Sequence, residues 1–205
     1  MPKALKISAL TVRAFETSLK RPFITALGRK TSTGNVGMTL RLSDGSRGYG
    51  EASSSLALAH LSTRNLETQL RRLAIWARGR ETSCPRALIE QAWRKAEGAT
   101  PAAAAFEAAL LSAVAQSRGL ELADWFGGAL KEVESDITIS ASELAATETA
   151  AREAAREGFG AFKVKVTGDL PADIARVSAV RKARAKARIL LDGNQGLTPK
   201  LALKL

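Results

Sequence analysis

The sequence predicts two folds in succession: an α+β module over residues 1–125, then roughly the first three βα units of a (β/α) TIM-type barrel over residues 133–205. Three observations carry this. The N-terminal stretches alternate apolar and polar residues as half-buried strands do; from about Ser62 the apolar spacing becomes helical; and beyond Glu132 short apolar runs and helical segments take turns in β-α order.

Each element follows from its residues. "KISALTVRAFETSL" and "NVGMTLRLSDGSRGYGEAS" read as an antiparallel sheet, with Ser43-Asp44-Gly45 supplying turn chemistry between two runs. "NLETQLRRLAIWARG", "CPRALIEQAWRKAEG" and "TPAAAAFEAALLSAVAQSRG" read as helices; in the last, Thr100 is the expected N-cap, Pro101 the first helical position and Gly119 the stop. "LADWFGGALKEVE", with Gly127 and Gly128, is a connection. Next come "SDITISA" (strand), "ELAATETAAREAAREG" (helix), "AFKVKV" (strand), "DLPADIARVSAVRKARAK" (helix), "ARILLDGNQG" (strand and turn) and "TPKLALKL", which opens another helix. Short apolar strands in this order predict a parallel sheet buried on both sides. A dinucleotide-binding fold needs a glycine-rich turn after its first strand, and here that turn is "SASE", so a barrel is the better reading. A complete barrel takes about 250 residues, so residues 133–205 read as a barrel that stops in mid-architecture.

Composition narrows the function classes. The chain has 205 residues, 45% hydrophobic and 25% charged, enough for a sizeable core. No stretch is both apolar and long enough to span a bilayer, and the N-terminus lacks a signal-peptide core, so a cytoplasmic location is expected. The single cysteine, Cys84, reads as an inert thiol in a reducing compartment. A net charge of +11 raises the question of nucleic acid or anionic membrane. Residues 1–132 hold 19 basic and 11 acidic residues and residues 133–205 hold 12 and 9, so neither part is a basic tail. The densest run, Arg176 to Arg188, reads as a solvated helix face, and no aromatic residues interleave it for base stacking. Neither nucleic acid nor membrane is expected as a partner.

The chemistry sits at two strand ends. In "AFKVKV" the alternation of a strand puts Lys163 and Lys165 on one face and Phe162, Val164 and Val166 on the other. If the lysine face points into a barrel, Lys165 lies near the C-terminal mouth, where barrel active sites are built. Two ammonium groups held close would lower each other's pKa towards the range of a general base, which suits proton abstraction. The other reading is a pair of exposed or snorkelling lysines on a strand. In "ILLDGNQG", Asp192 closes an apolar strand and Asn194 follows two residues on, so a carboxylate and an amide oxygen meet at the same mouth. Such a carboxylate suits a hard divalent ion such as Mg²⁺; alternatively Asp192-Gly193-Asn194 is turn chemistry before a helix.

"YGEAS", "LADWFGG", "ITIS", "FKVKV" and "LLDGNQG" together resemble the enolase superfamily, in particular its muconate-lactonising (mandelate racemase/muconate cycloisomerase-like) subgroup, and most of all the dipeptide epimerases of the L-Ala-D/L-Glu type. The resemblance covers essentially the whole chain and implies an α+β capping domain on a barrel. It implies an isomerase, a racemase or epimerase that moves a proton α to a carboxylate through an enediolate, with Mg²⁺ as cofactor. Lys165 would be the acid/base catalyst and Lys163 its electrostatic support. Asp192 would be the first of three Mg²⁺ ligands, with Asn194 assisting at the substrate. The cap would close over the mouth with two loops, "PFITALGRKTSTGN", made mobile by Gly28 and Gly34, and "GYGEASSS". These would offer Thr25, Arg29, Lys30 and Ser53 to the substrate, Arg29 or Lys30 meeting an acidic side chain. Glu51 would pack or pair within the cap, and His60 has no assigned role.

The resemblance also sets a limit. Two further acidic ligands and an opposing lysine would come from later strands, so the 205 residues alone are expected to be inactive, and their open strand edge prone to aggregation. The expected partner is a small-molecule substrate, a dipeptide or another carboxylate, with a homo-oligomer at full length. Alternatives are a muconate or chloromuconate cycloisomerase or an o-succinylbenzoate synthase-like enzyme. From another class, a non-catalytic basic binding module would be retained on heparin with steep salt dependence.

Overall fold

Phe106, Leu110 and the alanines of one helix lie at the centre of the N-terminal core, and the strands are built to meet them. The computed structural model describes residues 4–128 and 132–205, which fall into two compact units: residues 4–17 with 33–128, and residues 18–32 with 132–205.

Strands β1 (Ile7–Thr25), β2 (Gly28–Leu42) and β3 (Arg47–Ser53) follow in sheet order β1-β2-β3, with β2 and β3 antiparallel from Asn35↔Ser53 to Arg41↔Arg47; all but residues 18–32 of them belong to the first unit. Period-two alternation buries Val36, Met38, Leu40 and Leu42 on one face. The turn before β3 is the expected one: Asp44 Oδ1 accepts the Ser46 N–H at 3.0 Å and Gly45 takes a φ of +94°. Against this face lie α1 (Thr63–Ala77), α2 (Pro85–Lys95) and α3 (Thr100–Ser117), followed by the single turn α4 (Leu122–Trp125). The stripe Leu66, Leu70 and Leu73 of α1 is buried, each leucine contributing about 1.5–3 kcal/mol. Ser62 caps α1 in a capping box with Asn65. Thr100 is not the N-cap of α3: Ala99 holds that position without a side-chain bond, and Thr100 is already helical ahead of Pro101.

The α3–β3 contact is a backbone contact. A β-carbon on Gly48 would lie 1.9 Å from the Ala109 carbonyl oxygen, and one on Gly50 would lie 1.8 Å from that of Ala105, so glycine is required at both. Tyr49, between them, points to the opposite face and is exposed.

The second unit is a parallel sheet in order β4-β5-β6, with β4 (Asp136–Ile139), β5 (Ala161–Lys165) and β6 (Arg188–Asp192) separated by α5 (Leu144–Arg156) and α6 (Leu170–Ala183); α7 (Pro199–Ala202) follows. Ile139, Phe162, Val164 and Val166 pack with Ala151, Ala154 and Val180 from the helices. The chain is therefore an α+β module followed by the first βα units of a TIM-type barrel. Burial is uneven along the sheet: central β5 is buried, whereas Leu190 and Leu191 of β6, the outer strand among the described residues, are 42% and 43% exposed.

The segment expected to be the first cap loop is a β-hairpin tip, from the end of β1 through Ala26–Leu27 into β2, and it groups with the second unit. There Ala141 N–H donates to the Ile24 carbonyl at 3.0 Å, Ser140 Oγ to that of Pro22 at 3.4 Å, and Arg21 pairs with Glu153. Gly34 lies inside β2, where a β-carbon would meet Thr63 Oγ1 at 2.0 Å, so it serves close packing, not loop mobility. The expected second loop is largely strand β3.

Candidate active site

Lys163 and Lys165 leave the same face of β5, opposite the buried Phe162, Val164 and Val166, as strand alternation requires. The parallel register sets Lys165 beside Asp192 at the C-terminal ends of β5 and β6. Both ammonium groups converge on one oxygen of that carboxylate: Lys165 Nζ lies 2.7 Å and Lys163 Nζ 2.9 Å from Asp192 Oδ2. Lys165 is 4% exposed, and a cation buried so far needs such a partner.

For Lys163 the carboxylate reverses the expected depression by its neighbour. Its hydrogen bond and negative charge hold the Lys163 ammonium pKa above the ordinary lysine value, against a partial desolvation that works the other way; Asp136 adds a smaller pull. Burial pushes the Asp192 carboxyl up, but hydrogen bonds from Lys165, Lys163 and the Asn194 N–H, with the Lys165 charge, outweigh it and hold the group well below the usual carboxylate range.

The turn reading of "DGN" is visible in the structure. Asp192 Oδ1 accepts the Asn194 N–H at 2.8 Å, an Asx-type turn, and Asn194 takes a φ of +45° that asparagine tolerates better than most residues. Gly193 is needed because a β-carbon there would sit 2.6 Å from Leu197. The Asn194 side-chain oxygen is buried and has no hydrogen-bond partner. A buried carbonyl oxygen left open two residues from a carboxylate is a donor pair of the type a hard divalent cation takes. Among the described residues no group of three or more His, Cys, Asp or Glu side chains is placed to hold a metal, so Asp192 is a single carboxylate contribution.

The remaining candidates separate. Thr25 is buried at the hairpin tip and its hydroxyl accepts the Leu27 N–H at 3.1 Å, which shapes the turn. Arg29 is exposed and Lys30 half-buried at the start of β2. Ser53 belongs to the first unit, where Ser53 Oγ donates to Asn35 Oδ1 at 2.6 Å beside Thr33, and Asn35 Nδ2 reaches Thr17 at 3.4 Å. Glu51 and His60 are exposed.

Three residues near the lysines escaped the sequence reading. The Phe23 ring of the hairpin tip lies 5.4 Å from Lys165 Nζ, a cation–π contact that only folding reveals. Asp173 and Arg176 of α6 form a buried ion pair behind β5. Arg176 had been read as part of a solvated basic face; the spacing of Asp173 three residues earlier was the available signal.

The charged groups lie at the C-terminal ends of adjacent parallel strands, the end at which barrel active sites are built. Residues 7–127 match the mandelate racemase / muconate lactonizing enzyme N-terminal domain, and residues 145–205 match the enolase C-terminal domain-like family. The chain belongs to the mandelate racemase / muconate lactonizing enzyme family. An aromatic dipeptide epimerase of Herpetosiphon aurantiacus is 29% identical over 96% of this chain and 56% of its own. The L-Ala-D/L-Glu epimerase of Bacillus subtilis is 30% identical over 97% of this chain and 55% of its own, and its substrate-liganded structure superposes with a TM-score of 0.91. A dipeptide epimerase of Enterococcus faecalis, solved with Mg and L-Leu-L-Tyr, is 30% identical over 97% of this chain and 56% of its own, with a TM-score of 0.86. The chain thus spans about half the length of the relatives it matches. Among the described residues, no helix is long and apolar enough to cross a membrane.

Proposed function

We propose that this chain supplies the capping domain (1–125) and the first catalytic strands (133–205) of a Mg²⁺-dependent dipeptide epimerase. The observation that carries the reading is the convergence of Lys163 and Lys165 on Asp192 at neighbouring strand ends; the dipeptide epimerases among its relatives support the substrate class.

In this reading Lys165 serves one face of the substrate, taking the α-proton of one epimer and, as the ammonium, delivering a proton when the reaction runs the other way, while the opposing lysine that the resemblance implies serves the other face. The burial of Lys165 and its bond to Asp192 hold the amine in one place at the strand end. Lys163, at the same carboxylate but more exposed, keeps positive charge beside the reacting carboxylate. Asp192 would hold the Mg²⁺ ion, with the open Asn194 oxygen beside it. When bound, the ion neutralises the charge that develops on the substrate carboxylate as the proton leaves. Thr25, Arg29 and Lys30 would contribute to substrate binding, the two cations suiting an acidic second residue.

Proton NMR of L-Ala-L-Glu in D₂O with Mg²⁺, using the intact protein that contains this chain, tests the reading. Exchange of the α-proton is expected, and Lys165→Ala should lower its rate by about 10²–10⁴-fold. Exchange that survives in Lys165→Ala, or its absence with every dipeptide offered, would sink the proposal.

A further inference from the structure

The inward face of α6 carries charge where an apolar stripe is the rule. Asp173 is 0% and Arg176 9% exposed, and Ala179 and Val180 continue the same buried side. A buried ion pair calls for a reason, because desolvating two ions offsets most of their attraction and an apolar pair of similar size is often as stable.

The reason lies in what the pair holds. The Asp173 carboxylate accepts the Thr167 N–H at 3.0 and 3.1 Å through its two oxygens, the Gly168 N–H at 2.8 Å and the Thr167 hydroxyl at 3.4 Å. Arg176 Nη1 pairs with Asp173 Oδ1, and Arg176 Nε donates to the Ser142 carbonyl at 3.2 Å. Ser142 follows β4; Thr167 and Gly168 follow β5. Gly168 meets the segment after β6, since a β-carbon on it would lie 3.5 Å from the Gly196 carbonyl oxygen. One ion pair therefore ties together the segments that leave β4 and β5, and the second of these lies against the segment that leaves β6. Lys165 stands two residues before the gripped amides, and Val166 between them donates its N–H to the Asp192 carbonyl at 3.1 Å.

We infer that Asp173 and Arg176 act as a clamp that fixes Lys165 against Asp192, and so are positioning residues for the proton transfer; the role of Lys165 rests on the function proposed above, the clamp on the geometry alone. An aspartate is suited to the task because both of its oxygens accept. Asparagine would turn one of them into an N–H₂ facing backbone donors.

The test compares the wild-type chain with Asp173→Asn and Arg176→Lys by two readings. Hydrogen exchange reports the Thr167 and Gly168 amides against Phe162 and Val164 in β5, and acylation of lysines by a water-soluble ester, read by peptide mass spectrometry, gives the ratio of Lys165 to Lys163 labelling. In Asp173→Asn the two loop amides should exchange about tenfold faster or more while the β5 amides keep their protection, and the labelling ratio should rise several-fold. Loop amides freed with an unchanged ratio would overturn the clamp and leave Asp173 a local stabiliser. If Asp173→Asn fails to fold, Arg176→Lys decides: it keeps a cation beside Asp173 but cannot reproduce the bond to Ser142, so a wild-type ratio there is equally fatal. In the intact protein kcat should fall with little change in KM. Because labelling needs no turnover, a raised ratio in a protein that exchanges no dipeptide α-proton would remove the proposed function and leave the clamp standing.

Discussion

Helix α3 meets strand β3 through alanine and glycine, with carbonyl oxygens where β-carbons would be; helix α6 meets the end of β5 through an aspartate and an arginine. Each joins a helix to a strand inside one unit, with opposite chemistry. At the first the task is to exclude space, and the smallest side chains do it without leaving a polar group unsatisfied. At the second the backbone is leaving the sheet, its N–H groups have no ladder partner, and a charged side chain has to supply the acceptors.

The contrast is broken most severely at the first joint. Gly50→Val places carbon against the Ala105 carbonyl, which cannot yield without moving α3, and should cost about 3 kcal/mol in urea unfolding. That loss should be independent of pH, because no ionisable group takes part.

A smaller effect, but a pH-dependent one, is expected at the strand ends. Asp192→Asn leaves buried Lys165 without its anion and should cost about 2 kcal/mol near neutrality, below the range for a fully buried pair because Asp192 is partly exposed. The carboxyl titrates lower in the folded chain than the roughly 3.9 of an unfolded aspartate, so its stabilisation is complete above that pH and is lost as the pH falls towards the folded value. Urea midpoints of wild type and variant should therefore stay apart from neutral pH down to about 4 and converge below it; curves that stay parallel into acid would contradict the ion-pair geometry.

The smallest effect sharpens the comparison from the outside. Arg71 and Glu67 form an i,i+4 pair on α1 at 2.7 Å, mostly in solvent, and Arg71→Ala should change stability by only about 0.3–0.5 kcal/mol. A loss as large as that of Asp192→Asn would mean that exposure is a poor guide to the value of charge in this chain.

Much of this was legible beforehand. The β-α order of the second unit, the turn at Asp44-Gly45 and the shared face of Lys163 and Lys165 follow from local rules of period and turn chemistry, which act between near neighbours in sequence. Other features were misread for equally physical reasons. A glycine such as Gly34 looks the same in a mobile loop and in a strand pressed against Thr63. Lys163 was expected to have its pKa lowered by Lys165 because nothing local says that a carboxylate 27 residues on from Lys165 would come to lie between them. Arg176 sits in a basic run, and only the position of Asp173 one turn earlier distinguishes a buried arginine from a solvated one.

By itself, then, the sequence determined the order and kind of the elements, the faces of β5 and the chemical types gathered at the strand ends, because those depend on dihedral preference and side-chain period. The tertiary structure decided which charges meet. Asp192 lies between two lysines, Phe23 beside one of them, and Asp173 under the backbone that carries them, because burial removes the water that would otherwise satisfy each group and leaves a specific partner as the alternative.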